Sequence, residues 1–182
     1  MLQRIVLIAL VLVTGVMSAQ KINWMSMNDA LAAQEKEPRL IFVDMYTKWC
    51  GPCKMMDRDT FSNADVADYI NEHYYAVKFN AEGDEPVRFN NKDFLNPNYD
   101  PVKASRRNSV HQFTRHVGVR AYPTVVFINK ESEVLTTVKS YRNPQQLELY
   151  LKLFAEGDYK AVKTQEDFNK YTLSFKPTFK VK

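Results

Sequence analysis

The sequence predicts an α/β fold, a mixed sheet of four to five strands flanked by helices, and three stretches carry that reading. Leu40-Ile41-Phe42-Val43 is a continuous apolar run, as a strand covered on both faces requires. Tyr75, Val77 and Phe79 alternate with Ala76, Lys78 and Asn80, the period of a half-buried strand. Thr124-Val125-Val126-Phe127-Ile128 is a third β-rich run and follows Pro123. Helical patterns separate these runs, so the first two should lie parallel, and the final pair of strands should form an antiparallel hairpin.

The 182 residues suffice for one domain with a real core, and 45% hydrophobic against 25% charged residues is a globular balance. Only two cysteines are present, so a disulfide scaffold is excluded. The net charge of +4 is spread along the chain without a basic run and gives no footprint for nucleic acid. The first residues read differently. Arg4 precedes the apolar run Ile5 to Val13, and the following stretch ends in the small residues Ser18 and Ala19. That is the pattern of a secretory signal peptide over residues 1–19. Ile5 to Ala19 is 15 residues, short of the ~20 that a membrane-spanning helix needs, which disfavours an uncleaved anchor. No cysteine lies at the cleavage region, so a lipoprotein is excluded. An exported protein, periplasmic or secreted, is expected.

The domain should then cover residues 20–157. Ile22-Asn23-Trp24 suits a short first strand, and Ser26 or Asn28 can cap a helix that ends before Pro38. After the apolar strand, a helix opens at Lys54 and breaks near Phe61-Ser62-Asn63, where Asn63 can cap a second helical piece. From Gly83 to Arg107 periodicity is lost among Pro86, Pro97 and Pro101, which reads as an inserted loop over 83–107 bordering the active site. Asn108 can cap a helix bearing Val110, Phe113 and Val117 and closed by Gly118. Val134 to Tyr141 supplies the hairpin partner, and Pro144 starts an amphipathic helix ending at Gly157. Residues 158–182 form a lysine-rich extension with at most a short helix around Thr164 to Tyr171.

The chemistry concentrates at Trp49-Cys50-Gly51-Pro52-Cys53, between the apolar strand and a helix. Two cysteines so spaced at a helix start can make and break one disulfide. The unpaired N–H groups and partial positive charge of the helix N-terminus favour thiolate, lowering a thiol pKa of ~8.5 to roughly 3.5–7.5 in such settings. A structural disulfide or half of a zinc site are the plainer readings. Zinc needs four ligands, and His73, His111 and His116 have no spacing that pairs with the cysteines, so no metal is expected. Those histidines read as surface or packing residues, and Met55 and Met56 as core.

Asp44-Met45-Tyr46-Thr47-Lys48-Trp49-Cys50-Gly51-Pro52-Cys53-Lys54 resembles the active-site segment of the thioredoxin superfamily, and Gly118-Val119-Arg120-Ala121-Tyr122-Pro123-Thr124 resembles the segment bearing its cis-proline. The likeness covers about Leu40 to Phe154 without the 83–107 insert. Thr60-Phe61-Ser62-Asn63 with Val66 is similar to the branch containing the C-terminal periplasmic domain of the membrane thiol:disulfide interchange protein. The resemblance implies a thioredoxin-like three-layer sandwich and a redox-active Cys50–Cys53 disulfide. In it Cys50 is the nucleophile and the more exposed thiol, and Cys53 the resolving thiol. Asp44 is a catalytic proton acceptor, or else an aspartate bonded to backbone or Lys78. Trp49, Gly51, Pro52, Tyr122 and a cis Pro123 form the substrate-contact surface, where Tyr122 is bulkier than the small or branched residues common there. The implied activity is an exported thiol–disulfide oxidoreductase reducing protein disulfides. It implies no cofactor, disulfide-containing protein partners, a membrane electron donor and a monomer. Oxidase or isomerase activity, a redox-inactive partner-binding module and metal delivery remain open on sequence alone.

Overall fold

A computed structural model gives the fold, and residues 21–181 are described. The expected signal peptide, residues 1–19, lies outside the described residues. Among these residues no helix is long and apolar enough to cross a membrane. The elements in chain order are β1 (Trp24–Met25), α1 (Met27–Lys36), β2 (Leu40–Tyr46), α2 (Gly51–Met56), a π-helical turn (Asp57–Phe61), α3 (Ala64–His73) and β3 (Tyr74–Asn80). They continue with β4 (Val87–Phe89), β5 (Lys92–Phe94), a 3-10 turn (Pro101–Lys103), α4 (Gln112–His116), β6 (Thr124–Ile128) and β7 (Val134–Lys139). Then come α5 (Pro144–Ala155), a second 3-10 turn (Asp158–Lys160) and α6 (Gln165–Ser174).

Five strands form one mixed sheet in the order β1-β3-β2-β6-β7. β3 runs parallel to β1 and β2, while β6 runs antiparallel to β2 and β7. Leu40 to Met45 are all buried, because β2 has a strand on each side and helices on each face. Leu40 and Phe42 pack with Phe61, Ile70, Leu147 and Leu151 from the layer of α3 and α5. Ile41, Val43 and Met45 pack with Met27 and Ala30 of α1 and Phe113 of α4. The result is the expected three-layer sandwich. Side-chain caps fix the helix starts: Ser26 accepts from the Asp29 N–H, Asn63 from that of Val66, and Asn143 forms a reciprocal capping box with Gln146.

Several boundaries differ from the sequence expectation. The first strand is shifted to Trp24–Met25, the residues that reach Ala76 and Val77 on β3. The helix before Gly118 starts at Gln112 and is capped by His111, whose Nδ1 accepts from the Phe113 N–H at 3.0 Å. Asn108 instead ties down the preceding loop, donating to Asp100 O and accepting from Asp100 N–H. The stretch 83–107 is not a bare loop. Its β4–β5 hairpin buries Val87, Phe89 and Phe94 against Phe113, a three-residue strand pattern too short to register as periodicity. Asn90 at the hairpin tip bonds Ser132 O beyond β6, at the pole opposite the cysteines, so only the Arg107 end of the insert borders the site.

The extension after 157 also packs into the domain. α6 forms behind a Thr164–Asp167 capping box, and Phe179 is buried in the α3–α5 layer. The fully buried carboxylate of Glu148 on α5 holds that segment, accepting from Thr178 N (2.9 Å), Thr178 Oγ1 (2.6 Å) and Phe179 N (2.9 Å) and pairing with Lys152 Nζ at 2.7 Å. Burial pushes this carboxyl up, but Lys152 and the Thr178 and Phe179 donors outweigh it and hold the pKa below the usual 4.5. Glu148→Ala strands these donors and is expected to cost about 3 kcal/mol, read as a lower urea midpoint at unchanged slope. Because folding depresses this pKa, the wild-type advantage is present above about pH 4.5 and is lost as pH falls through the lower folded value. Coincident wild-type and variant midpoints at neutral pH would sink this account.

Candidate active site

β2 delivers the chain to the motif at the end of the sheet where β6 begins. A turn closed by Cys50 N–H to Thr47 O at 3.1 Å places Cys50 as the N-cap of α2, with Gly51 and Pro52 in its first turn. Cys50 and Cys53 are disulfide-bonded, and the Cys53 N–H donates to Cys50 Sγ at 3.1 Å. A donor aimed at that sulfur favours its thiolate once the disulfide opens. The expectation that Cys50 is the more exposed thiol is corrected for this oxidised state. Both cysteines are 3% exposed, because the bond and the capping contact hold Cys50 Sγ inward with its partner. Met56 is core, as expected, whereas Met55 is 45% exposed beside the motif.

Asp44 sits in mid-strand on β2, 2% exposed, on the face that carries Phe42 and packs under α3 and the π-helical turn. Register sets Lys78 of β3 directly opposite, and its Nζ lies 3.3 Å from Asp44 Oδ2. Lys78 also forms an ion pair with Asp57, the residue one helical turn after Cys53. The rings of Trp24 and Tyr46, each 5.1 Å away, and of Phe61 at 5.6 Å surround the ammonium. Burial pushes the Asp44 carboxyl up to about 6, with Lys78 pulling it down and Asp57 adding to the rise. The Lys78 ammonium is pulled down by burial but more strongly supported by Asp44 and Asp57, so its pKa is raised. Asp44 Oδ1 is buried without a hydrogen-bond partner among the described residues, which leaves one oxygen of this carboxylate free to take a proton.

Trp49 and Tyr122 meet edge to face with centroids 6.1 Å apart, and the Tyr122–Pro123 bond is cis. Burial pushes the Tyr122 phenol up to about 12, with Glu82 adding to it. Trp49 Nε1 donates to Glu82 Oε2 at 2.7 Å, and Arg107 lies over the indole at 4.8 Å. Beside them opens a cavity of about 460 Å³. A second cavity, about 690 Å³, runs along β7, α5 and the residues after 157 and touches no motif residue. The structure thus gathers Cys50, Cys53, Gly51 and Pro52 at one helix start and brings Trp49 to Tyr122 and Pro123, with Asp44 in the strand that leads there. Asp57, Glu82 and Arg107 were not singled out in the sequence. Asp57 carried a usable signal, four residues after Cys53 on the same helical face. Glu82 and Arg107 carried none, since their approach to Trp49 depends on how the 83–107 segment folds back.

Folding raises the Asp44 pKa from 3.8 to about 6, so the folded chain holds this proton more tightly. That stabilisation is fully present below about pH 4 and is lost as pH rises through about 6. The shift corresponds to roughly 3 kcal/mol across this window. Asp44→Asn should abolish this slope and raise stability at neutral pH relative to wild type, measured by urea unfolding at about pH 4 and about pH 7.5. Parallel stability–pH curves for the two proteins would overturn the assignment.

The thioredoxin-like domain family pattern matches residues 26–155. A solved structure from Bacteroides thetaiotaomicron, described as a candidate disulphide-isomerase, is 31% identical, with 75% of this chain and 94% of that one aligned at a TM-score of 0.52. A thioredoxin-fold protein from Helicobacter pylori is 18% identical over 75% of this chain and 81% of its own, at a TM-score of 0.58. The DsbH oxidoreductase is 17% identical over 79% and 90%, at 0.55, and these two share the fold alone. No curated protein sequence matches the chain. With the family pattern running from the first helix to the last residue of α5, around a bonded Cys50–Cys53 pair and a cis Pro123, the chain belongs to the thioredoxin-like family.

Proposed function

We propose that this chain is an exported thiol–disulfide oxidoreductase that reduces disulfides of protein substrates. The observation that carries the reading is the Cys50–Cys53 bond at the start of α2, with the Cys53 N–H directed at Cys50 Sγ. In the reduced protein the Cys50 thiolate attacks one sulfur of a substrate disulfide. A Cys50–substrate disulfide forms, and the other substrate sulfur leaves as thiolate and takes a proton from water. Asp44, poised near 6, accepts the proton that the Cys53 thiol must lose. The Cys53 thiolate then attacks Cys50 Sγ and releases the second substrate thiolate. Two electrons have passed to the substrate, and the protein is left with the Cys50–Cys53 bond.

Export rests on the signal-peptide pattern of residues 1–19. Disulfides persist in exported compartments, so sustained reduction there requires a membrane electron transporter to return two electrons to the pair. The Gly51-Pro52 dipeptide resembles that of reducing thioredoxins and sets the direction of the proposal. Isomerisation is the second reading, favoured by the description of the Bacteroides relative.

Equilibrating the protein with glutathione or dithiothreitol buffers gives the potential of the pair, expected nearer the roughly −270 mV of thioredoxin than the roughly −120 mV of a strong oxidant. A value at the oxidising end would reverse the proposed direction. Cys53→Ser should accumulate a mixed disulfide with substrate on a non-reducing gel, and Cys50→Ser should form none. Turnover by Cys50→Ser at the wild-type rate would remove the exchange chemistry altogether.

A further inference from the structure

The cavity beside Trp49 and Tyr122 has a chemical character that thiol exchange itself does not require. Val110, Val119 and Tyr122 give its lining an apolar part. Three arginines from separate parts of the chain also line it. Arg107 ends the 83–107 segment and lies over Trp49, Arg115 projects from α4, and Arg120 stands in the segment that runs into Pro123. Gly118, at φ +77, makes the turn between the last two: its N–H bonds Arg115 O at 3.1 Å, and the chain then reverses so that Val119 N–H bonds Thr114 O at 3.0 Å.

All three arginines are exposed, and among the described residues none forms an ion pair. The one carboxylate of the cavity, Glu82, is 8% exposed and already engaged, its Oε2 accepting from Trp49 Nε1 at 2.7 Å and from Asn108 N–H at 2.9 Å. Three guanidiniums against one carboxylate leave a donor-rich pocket with a net positive charge. Guanidinium is the side chain that grips a carboxylate through paired hydrogen bonds. Trp49 and Tyr122, the chain neighbours of Cys50 and Pro123, line the pocket, so it lies within reach of residues flanking a disulfide bound at Cys50.

We infer that the pocket is a subsite for acidic side chains flanking the substrate disulfide, so that the protein selects disulfides in acidic sequence contexts and rejects those in basic ones. The inference rests on the reading of Cys50–Cys53 as an exchange centre and specifies what that centre acts upon. Attraction speeds the productive encounter, and a lysine or arginine beside the disulfide meets like charge at the same place.

The test uses the full reduced chain and peptides with one intramolecular disulfide, identical except for Glu, Gln or Lys beside the cysteines. The rate constant for the Glu peptide should exceed that for the Lys peptide by about tenfold at low salt, with Gln between them. The gap should shrink to about twofold near 1 M salt, where the screening length is about 3 Å. The double variant Arg115→Gln/Arg120→Gln should close it at low salt. Equal rates for the Glu and Lys peptides, or a gap that the double variant leaves intact, would overturn the subsite. Hydroxyethyl disulfide, which is uncharged, separates the two claims: reaction with it but no Glu/Lys preference sinks the subsite alone, while failure to react with it sinks the exchange reading. In that second case calorimetric titration of the same peptides still decides the subsite, tighter binding of the Glu peptide supporting it and equal binding overturning it.

Discussion

Strand β2 has no free edge and no free face, and every other part of the structure is a way of meeting that constraint. β3 and β6 satisfy its backbone on either side, and two helical layers take up its alternating side chains. The rings of Trp24, Phe61, Tyr74 and Phe127 lie 5.6–6.2 Å from that of Phe42, so one β2 side chain joins the first strand, the π-helical turn, β3 and β6. Because the strand is fixed along its whole length, the turn that leaves it at Tyr46 is fixed too. The cysteines inherit their position from a core they do not themselves build.

The same strand carries the one charge that such burial should forbid. Asp44 is tolerated because Lys78 stands opposite it in register and is held in turn by Asp57 and three aromatic rings. Asp57 belongs to the helical segment that begins at the cysteines. The charge state of the sheet interior and the position of the motif helix are therefore linked through one ammonium group. A proton gained or lost at Asp44 is felt by the segment that carries Cys53 without any change of fold.

Where β2, β3 and β6 lie was legible in the sequence, because their apolar runs have no other use at those lengths. The helix starts near Ser26 or Asn28, at Asn63 and at Pro144 were legible for the same reason: each residue type does one thing well at a helix start. The cysteine pair announced itself by spacing. The β4–β5 hairpin did not, since each of its strands spans three residues and its apolar members Val87, Phe89 and Phe94 are spaced like isolated loop hydrophobes. His111 was read as an ordinary packing or surface residue, and its capping role is set by how the loop before α4 returns to Ala81, where its N–H bonds the Ala81 carbonyl. The surface beside the cysteines was hidden for a related reason: Glu82, Arg107 and Arg115 become neighbours of Trp49 and Tyr122 only through long-range closure, which no local period encodes.

The clasp between Glu148 and residues 178–179 also orders events in time. Until Thr178 and Phe179 have been synthesised, α5 carries a carboxylate that lacks its backbone donors, and the layer it shares with α3 lacks the ring of Phe179. Asn63 and Asp65 at the start of α3 likewise wait for Lys180, whose carbonyl accepts from Asn63 and whose N–H donates to Asp65. A growing chain that already contains every sheet strand and both cysteines therefore still has an open helical layer. That layer closes only when a few residues more than a hundred positions beyond the redox pair have packed into it.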